Sequence, residues 1–425
     1  MSQSTKQWGA IGVMIALFAM IAFVTNLCTP MAAIIKNQGE ISNVLAQIGN
    51  YGNFVAYLVM GIPAGMLISK FGYKKTALIG LCVGIVGIAI QWYSGQLDAQ
   101  ANLGLVFGVY LLGAFIAGLC MCILNCVVNP MLNLLGGGGN SGNQLIQIGG
   151  VFNSTAAVAC YILMGALIAD ITKAKIADAT PALLIALAIF AIAFVVIYFT
   201  KIDEPEQAPV QIELISGALK HRHFALGALA IFLYMGIEVG VPNYVMQYLL
   251  ADGLPAGTVG MLVAVYWFMM LVGRFVGASI GSKVSSRAMI TAVSSATIIL
   301  VLFGMFAPTH VTVNFPGVDW GKLELIWQEI PVGIFAFLLV GLCTSVMWGA
   351  IFNLAVEGLG KYTAIASGIF MTMVFGCAIM MGIQGYVADA TNYITSFWVV
   401  IFCAAYILFY ALIGSRPTGT CDRNY

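Results

Sequence analysis

One carboxylate stands alone in the middle of an apolar run, and its position defines the chemistry open to this chain. Glu238 lies in YMGIEVGVPNYVMQY (234–248), about fourteen residues after Phe224 opens the run and twelve before Leu250 closes it. At ~1.5 Å per residue this is close to the centre of a ~30 Å hydrocarbon layer. An acid there costs roughly 2.5–3.5 kcal/mol on insertion scales, so it faces a bundle interior or a wet cavity. It can carry a proton or lend an oxygen to Na+. The plainer alternative is a protonated Glu that hydrogen-bonds inside the bundle for structure alone. Gly236, Gly240 and Pro242 predict a helix that bends beside it.

Other reactive-looking residues carry less. GGGGNSGN (136–143) lacks the Gly-Lys-Ser/Thr ending of a phosphate loop and reads as a turn, so no ATP is implied. Cys120 and Cys122 have no His nearby to complete a metal site, none of the ten cysteines forms a CxxC pair, and most sit inside apolar runs as small hydrophobes. His221 and His223, flanked by Lys220 and Arg222, are expected to belong to a basic anchor at the membrane face, and His310 to be an ordinary loop residue. With no cluster of His, Cys or acids there is no enzyme chemistry, cofactor or metal to expect.

The elements that position Glu238 are membrane helices. The 425 residues are 61% hydrophobic and 8% charged, a balance that fits only a polytopic helical membrane protein. A net charge of +1 excludes a nucleic-acid binder. The N-terminal MSQSTKQ runs into an apolar stretch longer than a signal-peptide core and without a small-residue cleavage site, so it is expected to remain as the first span. Runs of spanning length fall at about 8–35, 45–69, 77–95, 104–135, 145–170 and 182–200, then at 224–250, 258–281, 288–308, 332–356, 364–388 and 396–414. The expected fold is therefore an all-α membrane protein of twelve helices in two six-helix bundles, 1–200 and 224–425, joined by a cytoplasmic linker, 201–223. Within that linker ELISGALK can form a short surface helix.

Lys and Arg orient the chain. With the N-terminus inside, thirteen of them fall on cytoplasmic segments and inner helix ends, and only Lys36, Lys173, Lys175 and Lys322 lie outside. Both termini are then cytoplasmic, and the long connection 309–331 is an extracytoplasmic loop placed to cap the outer mouth.

The halves echo each other. LNLLGGGG (132–139) follows the fourth span as FNLAVEGLG (352–360) follows the tenth, and the next spans end in Ala169-Asp170 and Ala388-Asp389. Parallel six-plus-six repeats are a transporter architecture with the substrate site near the midplane between the halves. GMLISKFGYKK (65–75) resembles the loop signature of the major facilitator superfamily. Its physical sense is a tight turn whose cations Lys70, Lys74 and Lys75 hold an inner gate to neighbouring helix ends, with Ser69 where the signature has an acid and with Arg274 in the looser counterpart GRFVGASIGSKVSSR (273–287).

Further matches narrow the resemblance. NCVVNP (125–130), VFNS (151–154), the Glu238 segment, Trp267 followed by Gly273-Arg274-Phe275, SVMWGAIFNLAVEGLGK (345–361) and GCAIMMGIQGYVAD (376–389) together resemble the fucose/galactose/glucose sugar–cation symporter family, of which fucose permease is the familiar member. The resemblance implies alternating access and sugar uptake with H+ or Na+ coupling, in a bacterial inner membrane, by a monomer. Several acids and amides of the fucose-transporting members are missing. Thr29 stands at the acid's place in span one, Asn125 replaces the acid of span four, Gly150 replaces a Gln of span five, and Met381-Gly382 replace Pro-Pro in span eleven. Thr29 and Asn125 are thus expected to act as neutral ligands, and Glu238 is left as the coupling group.

Sugar hydroxyls both donate and accept, so amides and hydroxyls set against an aromatic face suit them. The candidate substrate residues are Asn26, Thr29, Asn50, Asn53, Tyr57, Asn125, Asn129, Gln147, Asn153, Asn243, Trp267, Trp348 and Gln384; Gln247 shares the face of Asn243. The structural alternative is interhelical hydrogen bonding worth about 0.6 kcal/mol each. The expected function is import of a neutral or N-acetylated hexose by cation symport. An acidic sugar such as a sialic acid is the alternative, and behind it a drug or metabolite exporter.

Overall fold

Uniformly apolar runs in lipid have no water to satisfy their backbone, so they close every hydrogen bond internally as helices. In the computed structural model, described over residues 8–36, 48–97, 102–135, 139–168, 173–202, 213–280, 284–319, 322, 324–357, 359 and 363–416, eleven helices are long and apolar enough to cross a membrane; the shorter Gly52–Ile68 supplies a twelfth. Span one is Trp8–Lys36. Spans two and three run as Ile48–Ser94 and meet at Gly72, whose φ of 78° is open to a glycine and makes the sharp turn read from GMLISKFGYKK. Spans four, five and six are Leu103–Leu135, Gly139–Leu167 and Thr180–Phe199. The linker holds the short helix Glu213–Leu219.

Span seven is broken where the sequence places its glycines and proline, into Arg222–Glu238 and Gly240–Ala251. Pro242 has no N–H to offer the carbonyl four residues back, which belongs to Glu238. The Tyr266 hydroxyl takes that carbonyl instead, at 2.9 Å. Spans eight, nine and ten are Ala256–Ile280, Ser286–Phe306 and Val332–Val356. Span eleven is also broken, into Thr363–Met373 and Gly376–Ala390. Span twelve comprises Tyr393–Ser396, Trp398–Phe409 and Tyr410–Gly414.

The halves touch along two seams, span five on span eight and span two on span eleven. Glycine makes both approaches close. A Cβ added at Gly260 would lie 2.9 Å from the Tyr161 carbonyl oxygen, and one at Gly61 would lie 2.9 Å from the Thr372 backbone nitrogen.

Two expectations change. The connection after span nine is not loop throughout. Strand β1, Thr312–Asp319, pairs antiparallel with β2, Glu324–Pro331, in a register running from Thr312↔Pro331 to Asp319↔Glu324. This hairpin lies outside the all-helical membrane core, which is as expected, and its alternating β-branched and aromatic residues were a readable strand signal. It lies against span eight, where Gly317 contacts Thr258, and against span ten through the Phe315 and Phe335 rings, 6.0 Å apart. His223 is not part of a surface anchor. It is buried, its Nε2 lies 2.9 Å from the Glu357 carbonyl, and the Tyr410 hydroxyl donates to its own carbonyl at 3.2 Å. That pins the start of span seven to the end of span ten.

Candidate functional site between the two bundles

The bent span seven places Glu238 at the end of a helix segment, packed among spans eight, ten, eleven and twelve. Its carboxyl hydrogen-bonds with the Tyr234 hydroxyl one turn back. The same hydroxyl lies 3.3 Å from the Thr344 carbonyl of span ten. A tyrosine has one proton to donate, so it serves either the carboxylate or that carbonyl. Tyr266 pairs with the Thr344 hydroxyl at 3.2 Å besides holding the Glu238 carbonyl. Two tyrosine hydroxyls are thereby fixed beside Glu238, one at its carboxyl and one on its backbone carbonyl.

One and two turns further along span seven, Asn243 and Gln247 are buried at 0% and 4% exposure. Both polar atoms of Asn243, the Gln247 amide nitrogen and the Trp267 indole nitrogen on span eight are buried with no hydrogen-bond partner among the described residues. Buried polar groups are normally satisfied, and an orphan costs about 1–3 kcal/mol, so a group of such atoms on two adjacent helices calls for a ligand or ordered water. Gln384 of span eleven is buried beside Gly240, with its amide nitrogen 3.4 Å from the Ser396 hydroxyl.

The expected aromatic faces are partly occupied. The Trp267 ring stacks on Tyr161 of span five at 6.4 Å and meets Tyr266 edge-on at 5.4 Å. Trp348, half-buried, tilts against Tyr234 at 6.1 Å. Tyr161 carries the link into the N-terminal bundle, where its hydroxyl donates to the Asn26 side-chain oxygen at 3.3 Å.

Amides of the N-terminal bundle mostly brace helices. Asn26 donates to the Ala22 carbonyl at 2.8 Å, and Asn153 donates across to the Phe18 carbonyl of span one at 3.0 Å. Asn125 donates to the Tyr57 hydroxyl at 2.9 Å and to the Met121 carbonyl, while Asn129 donates to the Asn125 carbonyl. Asn53 lines a cavity of about 10 Å³ with Gln91 and Tyr110 inside this bundle, away from the seam. The side chains of Thr29, Asn50 and Gln147 lie outside the described residues.

Of the expected gate residues, Lys74 donates to the Thr200 carbonyl at 2.7 Å and so ties the turn after span two to the end of span six. Lys70 lies over the Phe71 ring and Lys75 is exposed. Arg274 does something the sequence did not signal. It reaches across the seam and donates through Nη1 to the Gly150 carbonyl and, at 2.8 Å, to the Ser154 hydroxyl of span five. Tyr161, Tyr234, Tyr266, Thr344 and Ser154 were not singled out by sequence; only the proline four residues after Glu238 pointed to a partner such as Tyr266.

Comparison with known proteins agrees with this architecture. Over 426 residues the chain is 29% identical to a glucose/galactose transporter of Brucella abortus, covering 98% of this chain and 96% of that protein. It is 22% identical to the L-fucose-proton symporter of Escherichia coli, over 94% of this chain and 92% of the relative. The fold matches a crystal structure of the E. coli fucose:proton symporter with a TM-score of 0.69 at 21% identity, covering 96% and 98% of the two chains. A crystal structure of a D-xylose-proton symporter matches with a TM-score of 0.72 at 10% identity, over 98% and 99%. Residues 11–382 match the Major Facilitator Superfamily, and the chain belongs to that family of multi-pass membrane proteins.

Proposed function

We propose that this protein is a secondary active transporter that imports a neutral hexose together with a cation, H+ or Na+, by alternating access. The observation that carries the proposal is the set of orphaned polar atoms on Asn243 and Gln247, one to two turns along span seven from the acid Glu238, and on Trp267 of span eight. A hydroxyl-rich, uncharged ligand satisfies amide donors and acceptors and an indole N–H without bringing a charge that needs a counter-ion. Relatives that match end to end and are named for glucose, galactose and fucose transport support a sugar as that ligand.

In this reading Asn243, Gln247, Trp267 and Gln384 contact the sugar from the C-terminal half. Asn26, Asn53, Tyr57, Asn125, Asn129 and Asn153 support the N-terminal helices that face it, and Trp348 backs Tyr234. Glu238 carries the coupling cation, as a proton site or as one oxygen ligand of Na+. The protein sits in a bacterial inner membrane with both termini cytoplasmic and works as a monomer. Uptake of a radiolabelled sugar panel into vesicles, with proton and sodium gradients imposed separately, tests the proposal. One hexose accumulating under one gradient is expected, and no accumulation of any sugar under either gradient refutes it.

A further inference from the structure

Arg274 is a part-buried cation on span eight, and among the described residues both of its side-chain hydrogen bonds are made to the other bundle. Span seven ends and span eight begins at the turn Asp252–Pro255, so depths can be measured from there. Glu238 is thirteen residues from Ala251, or ~20 Å, and Arg274 is eighteen from Ala256, or ~27 Å. Helix side chains lean toward their own N-terminus. Glu238 therefore leans away from the turn and Arg274 leans toward it, and the two charges approach each other across the ~7 Å between their levels. Arg274 acts electrostatically on the Glu238 carboxyl. The Tyr234 hydroxyl on its own helix and the Tyr266 hydroxyl on span eight also interact electrostatically with that carboxyl, Thr344 of span ten bonds with both tyrosines, and Cys403 of span twelve and Met380 of span eleven pack on Gly236 two residues back. No second cation acts on Glu238 among the described residues.

We propose that Arg274 is a positioning residue that converts the charge state of Glu238 into contact or separation of the two bundles. The proposal rests on the reading of Glu238 as the cation-coupling group. Nη1 satisfies both the Gly150 carbonyl and the Ser154 hydroxyl, so a single guanidinium nitrogen fastens span eight to span five. Both acceptors are neutral. An ionised Glu238 is a stronger partner, since it adds the attraction of an opposite charge, which a neutral acceptor lacks. When Glu238 is ionised, the guanidinium turns to the carboxylate and the seam loses its clasp. When H+ or Na+ neutralises Glu238, the cation has only the opposite bundle to satisfy it, and the seam closes. Loading of the cation is in this way linked to closure around sugar.

The test is the distance between nitroxide amino acids introduced by codon suppression at Phe152 and Phe275, whose side chains point outward beside the clasp, read by pulsed electron resonance in lipid nanodiscs. In the otherwise unchanged protein the short-distance population is expected to rise at least ~3-fold, a shift of ~0.65 kcal/mol, when the coupling cation is added to sodium-free medium at high pH. Glu238→Gln is expected to show the cation-loaded distance distribution in every condition. Arg274→Gln is expected to lose the response. No response of the unchanged protein to either cation, or a response that survives in Arg274→Gln, overturns the proposal. Should Arg274→Gln fail to fold, Ser154→Ala must shift the population toward the open form, and no shift overturns the proposal. Sugar accumulation by Glu238→Gln defeats the coupling reading itself; lost accumulation with an unresponsive distance defeats only the clasp.

Discussion

The two bundles use the same kinds of side chain differently. In the N-terminal half, four amides donate to nearby carbonyls and hydroxyls: Asn26 to Ala22, Asn125 to Met121 and Tyr57, Asn129 to Asn125, Asn153 to Phe18. In the C-terminal half, both polar atoms of Asn243, the Gln247 amide nitrogen and the Trp267 indole nitrogen are buried without a hydrogen-bond partner among the described residues, and the mid-depth acid lies on the same bent helix as Asn243 and Gln247. The lesson is that polarity inside a membrane bundle does not by itself mark a ligand site. An amide that already donates to the backbone contributes to the scaffold, whereas one left unsatisfied in the dry interior has a cost that only a ligand or water removes.

This contrast can be broken by substitution. The largest effect is expected from Asn243→Ala, which removes two orphaned atoms at once. Apparent sugar affinity should fall about 10–100-fold, corresponding to ~1.5–3 kcal/mol of lost hydrogen bonding, as read by binding to detergent-purified protein. Unchanged affinity would move the site elsewhere. Trp267→Phe keeps the ring contacts with Tyr161 and Tyr266 and deletes only the indole N–H, so a smaller loss of about 3–10-fold is expected in the same assay. At the bottom of the scale stand Asn153→Ala and Tyr57→Phe in the N-terminal half. Each removes an interhelical bond worth about 0.6 kcal/mol, so affinity should change less than ~3-fold while thermal stability drops slightly. A large affinity loss in either one would put the N-terminal amides on the sugar and blur the distinction between the halves.

Much of this was legible in the sequence, for identifiable reasons. Every spanning helix followed from apolar runs, because lipid leaves a run of ~20 apolar residues no alternative to helix. The bend in span seven followed from Gly236, Gly240 and Pro242, and the turn at Gly72 from its glycine-basic signature. The hairpin at 312–331 was missed because a polar connection between spans was read as loop, although TVNF and LIWQEI alternate as strands do. Within the site, residue type marked the amides but not their satisfaction. Asn153 and Asn243 look alike in sequence, and only the backbone of span one, brought alongside by folding, separates a brace from an orphan. Arg274 was placed at a gate near the inner end by its spacing along span eight. Its reach to Gly150 and Ser154 depends on how the two halves meet, which no local pattern encodes.

The central claim is that Glu238 couples a cation to sugar movement while the sugar site lies beside it. The most direct measurement compares wild type and Glu238→Gln in proteoliposomes, reading sugar accumulation under an imposed cation gradient and sugar counterflow without one. Glu238→Gln should retain counterflow within ~3-fold of wild type, since Gln keeps the hydrogen-bonding shape, and should lose accumulation because it can neither release a proton nor supply a charged oxygen. Accumulation at the wild-type level by a well-expressed Glu238→Gln protein would contradict the account.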